Sequence, residues 1–383
     1  MTAPDGVEGT CHPRFAPVRD LLRRRLRDGA EVGASVCVIE DGHTRVDLWG
    51  GLADRDSGTP WRRDSLVNTW SLTKTMTALV ALALIDRGAL DPEAPVARYW
   101  PEFAAAGKQD VLVRHVLGHT SGVCGWEADV TLDDITDTGR AAALLAAQQP
   151  WWRPGAGSGY QAVTHGPLVG ELVRRVTGRS LGTVLREEFT GPLGADYWLG
   201  APETVDARVA TPVPPDRSGA GHAAPDPTSI PVRTLTNPLI PPTVTTTRAF
   251  LGAELGALGG QGNARSVART QSVVSHGGTV DGRRYLSPAT LEDVFTVQSD
   301  GTDRVLGVPV RFGLGYALPT PGILPALPAG RICWWSGFGG SIVINDLDRR
   351  MTFAYVMNRM EPDLIGAANT NAYVEAVYAC PAA

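Results

Sequence analysis

Lysine is nearly absent: 33 of the 35 basic residues are arginine, and only Lys74 and Lys108 are lysine. Arginine supplies surface charge, but its pKa above about 12 keeps it from acting as a base near neutral pH. Basic blocks are also missing. With a net charge of −5 and a pI near 5.8, the chain has no clustered positive face to grip phosphates, which argues against nucleic-acid binding. Long apolar runs are lacking too, since the stretch around Met76 to Ile85 falls far short of the ~20 residues a membrane span needs. The opening MTAPDGVEGTCHPRF has no basic-then-apolar leader pattern. Five widely spaced cysteines (Cys11, Cys37, Cys124, Cys333 and Cys380) contain no CxxC pair. Together these features predict a water-soluble protein with incidental thiols in a reducing cytoplasm.

The 383 residues include 44 Gly and 29 Pro, spread too evenly for disorder and enough for long ordered loops. Length favours two lobes, or one large domain with an insertion. Residues Phe15 to Asp28 read as a basic amphipathic helix. Alternating runs Gly33 to Glu40 and Thr44 to Trp49 meet at Asp41-Gly42, a hairpin signal. Helical periodicity begins at Ser71 and closes at Gly88, with further helices predicted at 111–117, 138–148, 165–176, 249–258 and 265–277. Strand signals return at 311–317, 332–336, 341–345 and 352–358, before a terminal helix over 362–378. Ten prolines in Pro202 to Pro242 predict extended loops along a cleft wall. This order predicts an α+β fold: an antiparallel sheet built from both chain ends (15–65 and 265–383, after a tail over 1–14), flanked by helices. A mainly helical lobe over 66–264 is inserted, with the active site in the cleft between the two.

The sharpest local motif is Ser71-Leu72-Thr73-Lys74, at a predicted helix start. Spacing of three places hydroxyl and amine on one helical face, and the positive helix end favours a developing oxyanion. A plain N-cap serine with a surface lysine gives the same letters, although two lysines rarely fall at this spacing from one of 16 serines. No G-x-S-x-G elbow occurs. His115 and His119 stand four apart, but HVLGH lacks the glutamate of a zinc helix and no third ligand follows, so no metal is assigned. No carboxylate pair recommends glycosidase chemistry. Lys108, in AAAGKQD, reads as a surface loop residue without function.

The run Leu66 to Val123, LVNTWSLTKTM…VLGHTSGV, resembles the serine β-lactamase-like superfamily, most nearly its family VIII carboxylesterase branch related to class C β-lactamases. Trp152 to Gly182 (WRPGAGSGYQAVTHGP…), Gly259 to Pro288, Arg311 to Tyr316 (RFGLGY) and Trp334 to Ser341 (WWSGFGGS) fit the same branch. The resemblance implies that Ser71 is the acylated nucleophile, Lys74 its motif partner and Tyr160 the second basic group. A free lysine or tyrosine, with pKa near ~10, is scarcely deprotonated at neutral pH. Burial and mutual hydrogen bonding would have to bring one of them towards the working pH, and the sequence leaves open which. By the same resemblance the third motif falls on Trp335-Ser336-Gly337. The N–H of Phe338 then joins that of Ser71 as an oxyanion donor, with Gly337, Gly339 and Gly340 letting the backbone approach substrate.

Two departures matter. Where the family's β-lactamases carry Asn in the second motif and Lys in the third, this chain has Ala162 and Trp335. A substrate carboxylate wants a cation at that strand, so a neutral ester or acyl group fits better than a penicillin. Trp70, Trp126, Trp334 and Trp335 are expected around an apolar acyl pocket, Trp126 equally as packing. The resulting expectation is a cofactor-free serine esterase acting on small-molecule esters. The alternative is an acyltransferase of natural-product biosynthesis passing the acyl group to an amine or alcohol. A β-lactamase, a D-amino-acid peptidase and a non-catalytic binding protein rank below these.

Overall fold

The structure, a computed structural model, describes residues 6–216 and 226–382. Its frame is an antiparallel sheet of β1 (Val7–Cys11), β2 (Gly33–Glu40), β3 (His43–Asp54), β4 (Ile332–Ser336), β5 (Ile342–Asp346) and β6 (Met351–Met357). The spatial order is β1-β3-β2-β6-β5-β4, with the two-residue strand Thr59–Pro60 added beside β3. The β2–β6 seam, Glu40 opposite Met351 through Ala34 opposite Met357, joins the two ends of the chain. Every residue of β2, β5 and β6 is buried, as strands covered on both faces must be. The coverings follow from side-chain alternation. On one face Ser35 Oγ accepts from Ala264 N, and Thr352 Oγ1 meets Ser275 Oγ at 2.7 Å, docking α4 (Ala264–Ser275). On the other, the Tyr355 ring lies 4.4 Å from that of Tyr373 on α5 (Ala368–Tyr378), which packs beside α1 (Ala16–Arg27).

Between the two halves of the sheet runs a mainly helical stretch. Its centre is α2 (Thr73–Asp86), in which every residue from Thr73 to Leu84 is buried. TKTMTALVALAL has no polar face to give to solvent, so neighbouring elements, including α3 (His165–Thr177), surround it. The hairpin turn at Asp41-Gly42 takes φ of 49° and 76°, the left-handed pair a tight two-residue connection requires.

Several expectations need correction. Val7–Cys11, read as tail, pairs along β3. The proline-rich segment is not wholly extended: it contains a 3-10 turn, Glu203–Arg208, and a helix, Ile230–Thr236, while its residues 217–225 lie outside the described set. The helix expected over 249–258 is only Arg248–Gly252, because Glu254 turns away to accept from Gly182 N and Ser180 Oγ. The 311–317 signal gives Pro309–Phe312, paired with Ser299–Thr302 outside the main sheet. Lys108 is buried rather than exposed. Its Nζ donates to Ala105 O (2.8 Å), Ala146 O (2.9 Å) and Gln148 O, so it caps the C-terminal carbonyls of helix Thr138–Ala147. Burial lowers its pKa to about 8.

One buried acid makes a prediction. Glu31, between α1 and β2, accepts from Tyr355 Oη at 2.6 Å, while Arg25 Nε stands 3.8 Å off and Oε2 has no partner. Burial raises its pKa to about 8. The folded protein therefore retains this proton where the unfolded chain, near pH 4.5, releases it, and the associated stability is lost as pH rises through about 8. Glu31→Gln is expected to melt close to wild type at pH 5 and clearly above it at pH 9. An equal difference at both pH values in calorimetry would show that the carboxyl does not titrate there.

Candidate active site

The position of Ser71 is set by what precedes it. Val67–Asn68 pairs antiparallel with Gln261–Gly262. Asn68 Oδ1 accepts from Trp70 N at 3.1 Å, and its Nδ2 donates to Leu258 O at 3.0 Å. Thr69 N donates to Gly260 O, and Thr69 Oγ1 meets Tyr197 Oη at 2.9 Å. Trp70 is held at φ 49°, left-handed backbone that a tryptophan adopts only when its surroundings enforce it. Ser71 then sits, partly exposed, in the 3-10 turn Trp70–Leu72 that runs into α2.

One turn later Lys74 points back into the protein. Its Nζ lies 3.3 Å from Ser71 Oγ, 2.7 Å from Ala162 O and 2.9 Å from Ala257 O. The amine is buried, among the described residues no carboxylate pairs with it, and burial pulls its pKa well below the ordinary lysine value. Ala162 thus contributes its carbonyl where the side chain offers only a methyl group. A neutral amine has two N–H bonds and one lone pair. In that form both N–H bonds can serve the two carbonyls, which leaves the lone pair for the Ser71 hydroxyl.

Tyr160 closes the other side. Its phenol is buried, and burial raises its pKa above the ordinary value, opposed by hydrogen bonds from Ser71 and Trp335. Trp335 Nε1 donates to Tyr160 Oη at 3.3 Å, and Lys74 Nζ lies 4.7 Å from the Tyr160 ring centre. Burial thus pushes the amine down and the phenol up, so the neutral form of each is favoured.

Sequence reasoning missed the residues that hold Tyr160. Asp303 is fully buried, and its Oδ1 accepts from Tyr160 N (3.1 Å), Val305 N (2.9 Å) and Leu306 N (2.9 Å). No local motif marks it, because its partner is 143 residues away. His119 lies 5.1 Å edge-on to the Tyr160 ring and 5.2 Å from the ring of His165. Its Nδ1 accepts from Gln161 N. Burial holds His119 well below its ordinary pKa and His165 down to about 3. The His115 and His119 spacing is not a helical one, since helix Val113–Leu117 ends between them and His119 takes φ 59°. Among the described residues no group of three His, Cys, Asp or Glu side chains is placed to hold a metal ion.

The third motif lies at the end of β4, the outer strand of the sheet. A Cβ on Gly337 would fall 2.2 Å from Thr69 O, so only glycine lets this strand end lie against the segment leading to Ser71. Phe338 follows, its ring edge-on to Trp70 at 5.5 Å. Among the described residues the N–H groups of Ser71 and Phe338 meet no acceptor, leaving both free for an oxyanion. Ser336 Oγ is buried without a partner.

A cavity of about 350 Å³ opens at Ser71 and Tyr160, walled by Trp70, Val163, Leu235, Ile240, Leu258 and Phe338 among others. The Pro202 to Pro242 segment does supply a wall, through its residues 234–240. Among the described residues no side chain lining the cavity carries a charge. Three expected pocket residues do not line it: Trp335, which is buried behind Tyr160 with its indole N–H on the phenol, and Trp126 and Trp334. Trp126 is buried elsewhere, its Nε1 donating to Ala141 O at 3.1 Å. Trp334 faces away because neighbouring side chains on a strand alternate, and its Nε1 donates to Leu318 O at 3.2 Å.

A serine and a buried lysine one helical turn apart, seated where an antiparallel sheet meets a helical stretch, define a serine hydrolase of the β-lactamase/transpeptidase fold. The chain belongs to the Beta-lactamase family, which it matches over residues 18–377. It is 35% identical over 374 residues to Esterase/beta-lactamase LipL of Mycobacterium tuberculosis, covering 94% of this chain and 84% of that protein. To Esterase EstB of Burkholderia gladioli it is 31% identical over 235 residues, 52% of this chain and 59% of that one. The crystal structure of a family VIII carboxylesterase superposes with a TM-score of 0.91 at 38% identity, covering 98% of this chain and 100% of the other. Within the family the chain falls with the esterase-type serine hydrolases.

The Asp303 anchor is testable. Asp303→Ala strands three backbone N–H groups in the interior and is expected to cost about 3 kcal/mol in chemical denaturation. Asp303→Asn, which keeps one acceptor oxygen, should cost clearly less. Equal losses would mean that the carboxylate's hydrogen bonds do not hold this region.

Proposed function

We propose that the protein is a carboxylesterase that hydrolyses neutral carboxylic esters through an acyl-enzyme on Ser71, with neutral Lys74 as the base and Tyr160 as a proton carrier. The observation that carries this reading is the uncharged cavity at Ser71, with Trp335 at the strand where a cation would hold a substrate carboxylate. The names of the full-length relatives support it.

In the first step Lys74 takes the Ser71 proton as Oγ attacks the ester carbonyl, and the N–H groups of Ser71 and Phe338 receive the oxyanion. Collapse breaks the bond to the alcohol. The departing oxygen takes a proton from Tyr160 Oη, which is replenished from the Lys74 ammonium. Water then attacks the acyl-enzyme, giving its proton to Lys74 by the same relay; collapse breaks the bond to Ser71 Oγ, which takes that proton back from the Lys74 ammonium, releasing the acid and restoring Ser71 and the neutral amine. A β-lactam or a D-amino-acid peptide, each presenting a carboxylate, is a poor substrate on this reading.

Hydrolysis of p-nitrophenyl butyrate tests it. Ser71→Ala should lose at least about a thousandfold in kcat/KM, and Lys74→Arg should lose as much, because arginine stays charged. Near wild-type rates in Ser71→Ala would refute the assignment. The lowered pKa of Lys74 predicts a rate that rises with pH as the amine loses its proton and levels off well below the ordinary lysine value. Tyr160, shifted upward, should impose no fall until above about pH 10. A profile still climbing steeply at pH 10 would show that Lys74 is not the neutral base. Adding hydroxylamine separates hydrolysis from acyl transfer. Turnover in water alone supports the esterase, whereas an adduct on Ser71 that clears only with the amine would make the protein an acyltransferase.

A further inference from the structure

Few large apolar side chains are left in solvent. Among the described residues three stand out: Leu239 at 63% exposure, Val297 at 41% and Leu364 at 37%. Single exposed leucines need no explanation. Here, however, Leu239 and Leu364 come from loops 125 residues apart and line the same cavity, the one that holds Ser71. Pro238, next to Leu239, and Pro362, two residues before Leu364, line it too.

The inner end of the cavity is closed. Val163 and Leu258 line both it and a separate void of only about 10 Å³, bounded on its far side by Trp126, Ile135 and Leu255. That void has room for about one water molecule. A substrate group too long for the space at Ser71 therefore cannot grow inward past Val163 and Leu258. The lining residues that reach solvent are Thr236, Leu239, Pro362 and Leu364, so the cavity opens on the side of the two leucines.

Building on the ester reading above, we propose that the preferred substrates carry an extended aliphatic acyl chain, and that Leu239 and Leu364 form the outer clamp covering its distal end. The acyl group is the part assigned there because it stays bonded to Ser71 through both steps, so an apolar wall serves it throughout, whereas the alcohol departs after the first. The cavity's uncharged lining and its continuity with the two leucines set the occupant's chemistry: apolar and neutral.

The test is a series of p-nitrophenyl acetate, butyrate, hexanoate and octanoate with wild type, Leu239→Ser, Leu364→Ser and the double variant. Both residues are exposed and outside the core, so the variants should fold. In wild type kcat/KM should rise about fourfold per buried methylene, the equivalent of ~0.8 kcal/mol, until the chain outgrows the clamp. The double variant should stay within twofold of wild type on acetate and fall at least tenfold on octanoate. A loss equal on all four esters, or no loss, overturns the clamp. Alkyl acetates with alcohols of matching length should show no such length-dependent loss; if the loss follows the alcohol instead, the acyl assignment is wrong. If the variants change the molar mass in light scattering but not the chain-length ratio, the leucines serve an interface between copies and the proposal fails. Absence of turnover on every ester by wild type would instead remove the ester reading itself.

Discussion

The candidate site depends on one buried amine. Lys74 reaches Ser71 only because Ala162 and Ala257 offer it carbonyl oxygens from two separate segments of the chain, 88 and 183 residues away. Neither carbonyl brings a charge, so the ammonium loses its hydration without gaining a counter-ion, and the proton becomes easy to give up. A carboxylate at either position would reverse this and fix the amine as a cation. The neutrality of the surroundings is thus a structural requirement. It extends to His119 and His165, which burial keeps uncharged, and to Trp335, which offers an indole N–H to Tyr160 where a lysine would add a second positive charge.

The reactive groups are held by backbone and by small residues. Gly337 admits the strand end beside Thr69, Trp70 carries a strained φ, and Asp303 gathers three amides to fix the turn bearing Tyr160. Strain and burial of this sort persist only where the surrounding fold supplies more than it loses. The all-round burial of α2 supplies it here: a helix enclosed by its neighbours cannot shift to relieve Trp70 or Lys74.

Much of this was legible in the sequence because it depends on short-range pattern. Alternation marked β2 and β3, Asp41-Gly42 marked their turn, and three-residue spacing marked Ser71 and Lys74. The α+β architecture followed from the order of signals, helped by a family resemblance spread over several motifs. What was not legible depends on distant partners. Lys108 looks like a loop residue until helix Thr138–Ala147 presents its carbonyls, Asp303 has no motif at all, and Trp334 and Trp335 differ only by which face of one strand they occupy. Helix Ile230–Thr236 was hidden because prolines obscure periodicity, although Pro231 sits in its first turn, where proline is tolerated.

The seam between β2 and β6 also governs how the molecule comes into being. Gly33 N donates to Asn358 Oδ1 across 325 residues, and the middle strands of the sheet have no neighbour on that side until almost the whole chain has been made. During synthesis the β2–β3 hairpin leaves the ribosome with one apolar edge open, and the helical middle emerges before the sheet can close. Contacts of such long range make folding slow and expose that edge to pairing with other chains. Loss of the segment from β4 onward would leave the helix that follows Ser71 intact in sequence and remove both the Phe338 amide and half of the sheet that carries it.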